Sequence, residues 1–209
     1  MKWTQLPLGP LQTNAYILSN DHKECIIFDP GHEGEKLIGY LQQQQLQPLA
    51  ILLTHAHFDH IGAVDAVRDA YKIPVYIHKN EQEWLEDPSL NGSSLFLRDR
   101  SITAKKADII IEKEETLSIG SFTFEVRETP GHSPGSVSYY CEEAGAVFSG
   151  DVLFQMSIGR TDLPGGSFQE LMMSIEEKLF TLPDETVVLC GHGQETTIAF
   201  EKVNNPFVR

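Results

Sequence analysis

The chain has 209 residues, of which 41% are hydrophobic and 22% are charged, and these proportions are ordinary for a soluble globular protein. This length suits one large domain or two small ones. With 16 Lys and Arg residues against 30 Asp and Glu residues, the formal net charge is −14 at pH 7. Such an acidic surface repels phosphate backbones, which disfavours general binding of nucleic acids.

The cysteines and the N-terminal segment indicate the compartment. Cys25, Cys141 and Cys190 lie far apart and form neither a CxxC pair nor a disulfide framework. We therefore predict three buried free thiols. The first residues lack an apolar signal core, and no apolar run is long enough to span a membrane. These features predict a cytoplasmic protein without a membrane partner.

The first half of the chain alternates strand-like and helix-like patterns. Short apolar runs predict strands at residues 1–6, 14–20, 25–28, 49–53 and 75–77. Helical spacing covers residues 33–46 and 61–71, and Asn80 is expected to cap a short helix that runs through Leu85. Residues 87–107 lack periodicity and predict a long surface segment.

From residue 108 onward the pattern is mainly that of short strands. They are predicted at residues 109–111, 115–119, 122–128, 136–141 and 146–148. An amphipathic helix with Ser167 as its N-cap is expected over residues 167–180, and residues 186–190 predict a last buried strand. Because no linker interrupts the chain, we predict a single domain, residues 1–209, with helices outside two packed sheets.

The stretch from Thr54 to His60 carries four side chains that can bind a metal: His55, His57, Asp59 and His60. Imidazoles and a carboxylate at this density must be hydrogen-bonded, ion-paired or metal-bound, because unpaired polar groups are unfavourable in a protein interior. Side chains at i and i+2 of an extended backbone point to the same side, so His55 and His57 can bind one ion. Asp59 and His60 face another direction once a helix begins, which suits a second ion.

Three more candidate ligands each follow a strand-like run and a glycine: His132, Asp151 and His192. Together with the Thr54–His60 stretch, four strands end in a loop that bears an imidazole or a carboxylate, so we expect these loops to meet at one end of the sheets. A single four-coordinate ion needs only four ligands, whereas seven suit two ions. We expect zinc, with iron or manganese as alternatives, because imidazole and carboxylate suit all three metals.

In these residues, together with Asp29-Pro30-Gly31 after an early strand, the chain resembles the metallo-β-lactamase superfamily. The resemblance covers nearly the whole chain. It implies an α/β fold of the αβ/βα four-layer sandwich type, in which two packed mixed β-sheets carry helices on their outer faces. It also implies two groups of metal ligands that share one carboxylate: His55, His57 and His132 for the first metal, Asp59, His60 and His192 for the second, and Asp151 for both.

Within this superfamily the chain looks most like the small bacterial members of the glyoxalase II (hydroxyacylglutathione hydrolase) group. Asp59 beside His60, Asp151 as a bridge and the run 157–162 carry this likeness. Only 17 residues follow His192 (209 minus 192), so no separate C-terminal helical domain is expected. The likeness implies metal-dependent hydrolysis of a small-molecule thioester, S-lactoylglutathione or a related acyl-thiol, by a metal-bridging hydroxide.

The sequence suggests roles for two further side chains and leaves other functions open. Asp59 is the expected catalytic residue, which orients the hydroxide, and Arg160 either binds a substrate carboxylate or pairs with Asp162. A persulfide dioxygenase-like oxygenase would instead use one Fe(II), held by His55, His132 and Asp151. A ribonuclease is disfavoured by the acidic charge, and a non-catalytic metal-binding module by the scarcity of cysteine ligands.

Overall fold

The computed structural model describes residues 1–97 and 100–208 of the chain. These residues divide into two units, of which the first is Met1–Glu112 and the second begins at Lys113. Each unit contains one six-stranded sheet. Within the two described ranges, no helix has both the length and the apolar composition that crossing a membrane requires.

The first unit contains a mixed sheet, and the strands of this sheet lie side by side in sequence order. Its strands are β1 (Lys2–Leu8), β2 (Thr13–Ser19), β3 (Glu24–Phe28), β4 (Gln47–Leu52), β5 (Val75–His78) and β6 (Ile109–Ile111). Its α-helices are α1 (Gly34–Gln44), α2 (Phe58–Ile61), α3 (Val64–Tyr71) and α4 (Ser93–Phe96), and short 3₁₀ turns follow β5. Strands β1 to β3 are antiparallel, whereas β3 to β6 run parallel.

Burial explains why the parallel strands have continuous apolar runs in the sequence. Residues 50–52 of β4 are fully buried, because both faces of a parallel sheet are covered. On the helices, Leu37 and Leu41 of α1 and Val64 and Val67 of α3 belong to the same apolar core as the strands. This core fixes the end of β4, which the first group of candidate ligands follows, and the end of β3, which Asp29 follows.

Three features of the first unit differ from the sequence prediction by more than a shift of one or two residues at the end of an element. The helix expected from residue 61 begins at Phe58 and is divided into α2 and α3. The expected short helix is a pair of 3₁₀ turns, and its N-cap is His78 rather than Asn80, since the Asn80 N–H lies 3.5 Å from Nδ1 of His78. The third difference is α4, which lies in the segment predicted to have no regular structure.

The second unit contains a sheet in which the last two strands lie at the edge opposite to the first strand. Its strands are β7 (Glu115–Ile119), β8 (Phe122–Glu128), β9 (Val137–Cys141), β10 (Ala146–Gly150), β11 (Leu153–Phe154), β12 (Ser157–Ile158), β13 (Val187–Cys190) and β14 (Thr196–Thr197). The sheet order is β14-β13-β10-β9-β8-β7, and β11 and β12 form a separate two-stranded sheet. Strands β10 and β13 are parallel, so both end at the same edge.

Two helices complete the second unit: α5 (Phe168–Met173), which continues as a π-helix at Ser174–Leu179, and α6 (Ile198–Asn204). The predicted cap is confirmed, because the Ser167 hydroxyl accepts the N–H of Glu170 at 3.3 Å. Helix α6 and the strands β11, β12 and β14 were not predicted. Buried Glu201 gives α6 a misleadingly polar sequence; its carboxylate accepts hydrogen bonds from the Thr196 hydroxyl and the Asn205 amide.

The three cysteines are free and buried, as predicted. Burial raises the pKa of the Cys25 thiol to about 12 and also raises the pKa of the Cys141 thiol. Thiols with raised pKa values stay protonated at neutral pH, so these two residues behave as small apolar side chains.

Candidate metal centre

The first group of predicted ligands occupies the loop between β4 and the start of α2. His57 is the last extended residue before α2, with φ −63° and ψ 146°. The imidazole of His55 has its centroid 4.9 Å from that of His57 and 4.1 Å from that of His60. Nε2 of His60 lies 3.6 Å from Oδ2 of Asp59. All four candidate ligands of this loop therefore lie close together, and the three histidines are buried.

Asp29, directly after β3, organises this loop through its carboxylate. Its Oδ1 accepts the N–H of Thr54 at 2.8 Å, and its Oδ2 accepts the Thr54 hydroxyl at 2.6 Å. Nδ1 of His60 lies 3.0 Å from the same Oδ2 and donates to it, because a carboxylate only accepts. With its proton on Nδ1, neutral His60 carries on Nε2 the lone pair that a metal requires.

The hydroxyl of Thr54 fixes the orientation of the His55 ring in a similar way. Thr54 has a single hydroxyl proton, which it donates to Asp29. Its oxygen lies 3.0 Å from Nδ1 of His55 and therefore accepts from that nitrogen. Asp29, His55 and His60 offer ligand atoms within 4.8 Å of one another. The hydrogen bonds on the Asp29 carboxylate nevertheless make it an orienting residue rather than a ligand.

Two more polar residues hold the loop, and sequence reasoning missed both. The Thr13 hydroxyl, at the start of β2, donates to Oδ2 of Asp59 at 2.8 Å. Glu81 is fully buried, and its carboxylate accepts the N–H of Ala56, which lies between His55 and His57. Neither residue stands in a motif, because each reaches the loop only through the tertiary fold.

The second group of predicted ligands follows β8, β10 and β13. Nε2 of His132 lies 3.6 Å from Oδ2 of Asp151, and Nε2 of His192 lies 3.5 Å from the same oxygen. The side chains of His132 and Asp151 are 3% and 12% exposed, whereas that of His192 is 31% exposed. One carboxylate oxygen thus lies between two imidazoles, an arrangement that suits a shared ligand of two cations.

Backbone contacts orient this second group. Nδ1 of His132 donates to the carbonyl oxygen of Arg160 at 2.8 Å, which directs Nε2 toward Asp151. The chain passes so close here that a Cβ at Gly159 would lie 1.9 Å from the Asp151 carbonyl oxygen. At Gly131, with φ at 127°, a Cβ would lie 2.2 Å from the backbone nitrogen of Leu171. Both loops therefore require glycine.

The thiol of Cys190 contacts backbone oxygens of the loop that carries His192. Its sulfur lies 3.1 Å from the carbonyl oxygen of His192 and 3.2 Å from that of Gln194. Burial, and secondarily the charge of Asp151, raises the pKa of the Cys190 thiol to about 12. The protonated thiol donates to backbone oxygens, which agrees with the predicted packing role.

Arg160 forms a bidentate ion pair with Asp162. Its Nε lies 2.7 Å from Oδ1, and a terminal guanidinium nitrogen lies 2.8 Å from Oδ2. This contact lowers the pKa of Asp162 to about 2. Of the two roles expected for Arg160, ion pairing is the one observed, and binding of a substrate carboxylate stays a prediction.

The donor chemistry of both groups fits divalent metals. Three of the histidines, His55, His60 and His132, have Nδ1 hydrogen-bonded to an oxygen, which leaves Nε2 as the ligand atom. Asp59 and Asp151 add carboxylate oxygens, and no cysteine is a candidate ligand in the described ranges. Imidazole with carboxylate suits zinc, iron and manganese.

Comparison with known sequences identifies relatives that cover the whole chain. Residues 8–192 match the family described as the Metallo-beta-lactamase superfamily. The chain is 58% identical over 208 residues to the probable metallo-hydrolase YqgX of Bacillus subtilis (strain 168), with 100% of this chain and 98% of YqgX covered. It is 36% identical over 204 residues to the hydroxyacylglutathione hydrolase GloC of Haemophilus influenzae, with 97% and 96% covered.

Solved structures agree with these matches. The crystal structure of BLEG-1 B3 metallo-beta-lactamase has a TM-score of 0.97 at 60% identity, with 99% of each chain covered. TTHA1623 in a di-iron-bound form has a TM-score of 0.87 at 42% identity, with 98% of this chain and 99% of that chain covered. ETHE1 from Myxococcus xanthus has a TM-score of 0.81 at 29% identity, with 99% and 84% covered. The fold class predicted from the sequence, that of the metallo-β-lactamases, is confirmed.

Proposed function

Because the chain belongs to the metallo-beta-lactamase superfamily, a superfamily of metallo-hydrolases, we propose that it hydrolyses small-molecule thioesters with two bound divalent metal ions. The relative GloC is named a hydroxyacylglutathione hydrolase, which supports a thioester and makes S-lactoylglutathione the first substrate to test. The observation that carries the proposal is the orientation of the candidate ligands. For His55, His60 and His132, a hydrogen bond at Nδ1 directs Nε2, as in metal sites with a supporting layer of polar residues.

The proposed ligand set follows the superfamily pattern. Two groups would each hold one ion and share a carboxylate: His55, His57 and His132 for the first, Asp59, His60 and His192 for the second, and Asp151 for both. The geometry within the second unit supports the shared role, since Oδ2 of Asp151 lies between a nitrogen of His132 and a nitrogen of His192. We further propose that residues 1–209 work as one catalytic domain.

The metals and the side chains of the protein have different roles in the proposed reaction. When bound, two divalent cations lower the pKa of coordinated water from about 15.7 toward 7 and polarise the substrate carbonyl. Asp59 holds and orients the attacking water, and the Thr13 hydroxyl fixes the Asp59 carboxylate in one orientation. The leaving thiolate needs little protonation, because thiols have pKa values of about 8.5. No side-chain general acid is therefore required.

The metal identity is proposed as zinc or iron. Imidazole and carboxylate ligands accept both ions. TTHA1623, 42% identical to this chain, is described in a di-iron-bound form, which supports iron. Manganese is compatible with the same donors, so the test must determine metal content rather than assume it.

The hydrogen bonds favour two ions over the single Fe(II) of an oxygenase. An iron held only by His55, His132 and Asp151 would give Asp59 and His60 no ligand role. Yet Asp29 orients His60 at 3.0 Å, and Thr13 holds Asp59 at 2.8 Å. Dedicated partners for both residues support a second ion and therefore a hydrolase.

Cleavage of a β-lactam amide is a second candidate function, because BLEG-1, 60% identical to this chain, is described as a B3 metallo-beta-lactamase. The two reactions share an attack on a polarised carbonyl and differ in the leaving group. An amine leaving group must gain a proton, whereas a thiolate leaves without one. A substrate panel therefore separates the two functions.

The experiment is metal analysis of the purified protein together with kinetics on such a panel. It contains S-lactoylglutathione, other acyl thioesters, the matching oxygen ester and a β-lactam, and oxygen uptake is recorded with glutathione persulfide. We expect thioester cleavage that a chelator abolishes and added metal restores, with no oxygen uptake. Metal-loaded protein that cleaves no thioester would contradict the proposal.

A further inference from the structure

A cavity of about 260 Å³ lies in the first unit beside Asp59. Seven of its twelve lining residues have apolar side chains, and no Lys or Arg lines it within residues 1–97 and 100–208. The lining comes from the turn between β1 and β2, from α2, and from the segment that includes the end of α4. Such a lining favours an apolar ligand group.

One wall of the cavity is the turn between β1 and β2, which is held in place by hydrogen bonds. The N–H of Gly9 donates to the Glu33 carboxylate at 2.7 Å, and the N–H of Gln12 donates to the Gly9 carbonyl oxygen at 3.1 Å. At the tip, Leu11 keeps 53% of its surface exposed although it is a large apolar residue. The turn thus presents a leucine to the cavity without needing to rearrange.

A second part of the cavity lining is aromatic. The rings of Phe58, which is 7% exposed, and Phe96, which is 45% exposed, have their centroids 5.8 Å apart. Leu97 follows Phe96 in the lining. Phe96 and Leu11 are exposed apolar side chains around one concave surface, and such surfaces commonly bind a ligand or a partner.

The polar end of the cavity is Asp59, together with the Thr13 hydroxyl that donates to it. The proposed function assigns Asp59 to the attacking water, so a substrate carbonyl near Asp59 would place one of its substituents against the apolar walls. An engineered cavity of about 150 Å³ accepts benzene. A cavity of about 260 Å³ therefore accommodates a group larger than a benzene ring, whereas a lactoyl group is smaller and carries a hydroxyl.

We propose that this cavity binds an apolar acyl group of the substrate, of medium-chain or arylacetyl size. This inference rests on the proposed function and narrows it, because it favours thioesters of apolar acids over those of short hydroxy acids. The shared chemistry is an apolar substituent on the scissile thioester group, and such a substituent can belong to the acyl side or to the thiol side.

Kinetics with the metal-loaded protein separate these two sides. The first series contains the acetyl, hexanoyl and phenylacetyl thioesters of N-acetylcysteamine, and the second contains acetyl thioesters of methanethiol and hexanethiol. Each buried methylene contributes roughly fourfold in transition-state binding, so kcat/KM for the hexanoyl ester should exceed that for the acetyl ester at least tenfold. A gain confined to the second series, or no gain in either, would overturn the acyl assignment.

Binding of neutral amides tests the cavity without catalysis. Calorimetry compares phenylacetamide with acetamide on three proteins: the wild type, Leu11→Asp and Leu95→Asp. Leu95 of α4 is 65% exposed and does not line the cavity, so Leu95→Asp makes the same substitution at an exposed leucine outside the lining. We expect phenylacetamide to bind the wild type and the Leu95 variant alike and the Leu11 variant at least tenfold more weakly.

The two readouts keep the inference and the proposed function apart. Binding of phenylacetamide with this variant pattern, but no thioester cleavage, would refute the proposed function and leave the cavity assignment standing. Cleavage without chain-length dependence, together with equal phenylacetamide affinity in all three proteins, would refute the cavity assignment alone.

Discussion

The two groups of candidate ligands are built in opposite ways. In the first unit the candidate ligands are nearly consecutive in sequence and the three histidines are buried. Side chains orient them: Asp29 and Thr54 the rings, and Thr13 the carboxylate. In the second unit three separate strand ends supply the ligands, and backbone groups and glycines set their positions. The first group should therefore be sensitive to loss of a hydrogen-bonding side chain, and the second to added bulk.

The largest effect is expected for Asp29→Asn in the first group. The amide cannot accept all three donors that reach the carboxylate, so a buried donor loses its partner, which costs about 3 kcal/mol of unfolding free energy. His60 loses its fixed tautomer, and metal affinity should fall roughly 10- to 100-fold. Urea unfolding and metal titration measure both effects.

Asp21→Asn is the matched control, because Asp21 is exposed in a turn after β2. It should leave unfolding and metal binding as in the wild type. An Asp29→Asn protein with wild-type metal affinity would show that side-chain orientation is not what prepares the first group.

Gly159→Ala tests the second group. The new methyl group would overlap the Asp151 carbonyl oxygen, and the backbone on either side must move. We expect a loss of about 1–3 kcal/mol of unfolding free energy and weaker metal binding. Gly39→Ala is the control, since Gly39 lies in α1 with no atom within 4 Å of the added methyl, and it should stabilise by roughly 0.5–1 kcal/mol. Equal effects of the two substitutions would contradict the close approach at Gly159.

The buried thiol of Cys25 makes the stability of the protein depend on pH. The Cys25 pKa is raised from 9.0 to about 12 by burial, so above pH 9 the unfolded chain releases a proton that the folded chain retains. Cys25 should therefore lower the unfolding free energy by about 1.4 kcal/mol per pH unit above pH 9. Between pH 8 and pH 10 the unfolding free energy of the wild type should fall by about 1.4 kcal/mol more than that of Cys25→Ala. The fall that remains in the variant comes from other groups with raised pKa values, among them Cys141 and Cys190. An equal fall in the two proteins would contradict the contribution of Cys25.

The smallest effect on stability is expected for Arg160→Gln. Both partners of its ion pair are more than half exposed, so unfolding free energy should change little. The pKa of Asp162 should rise from about 2 toward its ordinary value of 3.8, which carbon-detected NMR titration measures. A raised KM for S-lactoylglutathione, with an unchanged KM for a neutral thioester, would support carboxylate binding by Arg160; equal KM values would remove that role.

The sequence predicted which candidate ligands lie close together better than it predicted the residues that orient them. His55, His57, Asp59 and His60 lie together because they are neighbours along the chain, and the strand-end rule anticipated the grouping around Asp151. The sequence did not predict the roles of Thr13, Glu81 and Asp29, because each contacts a loop that is distant in sequence. From the sequence alone, a glutamate such as Glu81 is expected to be exposed to solvent, because its buried hydrogen-bond partner cannot be identified.

The same limit applies to the secondary structure. The strands of continuous apolar character were found, but α6 was missed because buried Glu201 interrupts its apolar face. The π-helical turn at Ser174–Leu179 has the composition of an ordinary helix, so no local pattern distinguishes it. Two-residue strands such as β11 carry too few residues for alternation to show.

Metal content per chain is the most direct test of the account, because the proposal requires two ions and a shared Asp151. Elemental analysis after metal loading should give two equivalents for the wild type and for Asp184→Ala, which removes an exposed carboxylate. Asp151→Ala should retain at most one equivalent and lose thioester cleavage. A wild-type protein that binds a single ion, or an Asp151→Ala protein that keeps two, would contradict the shared two-metal centre.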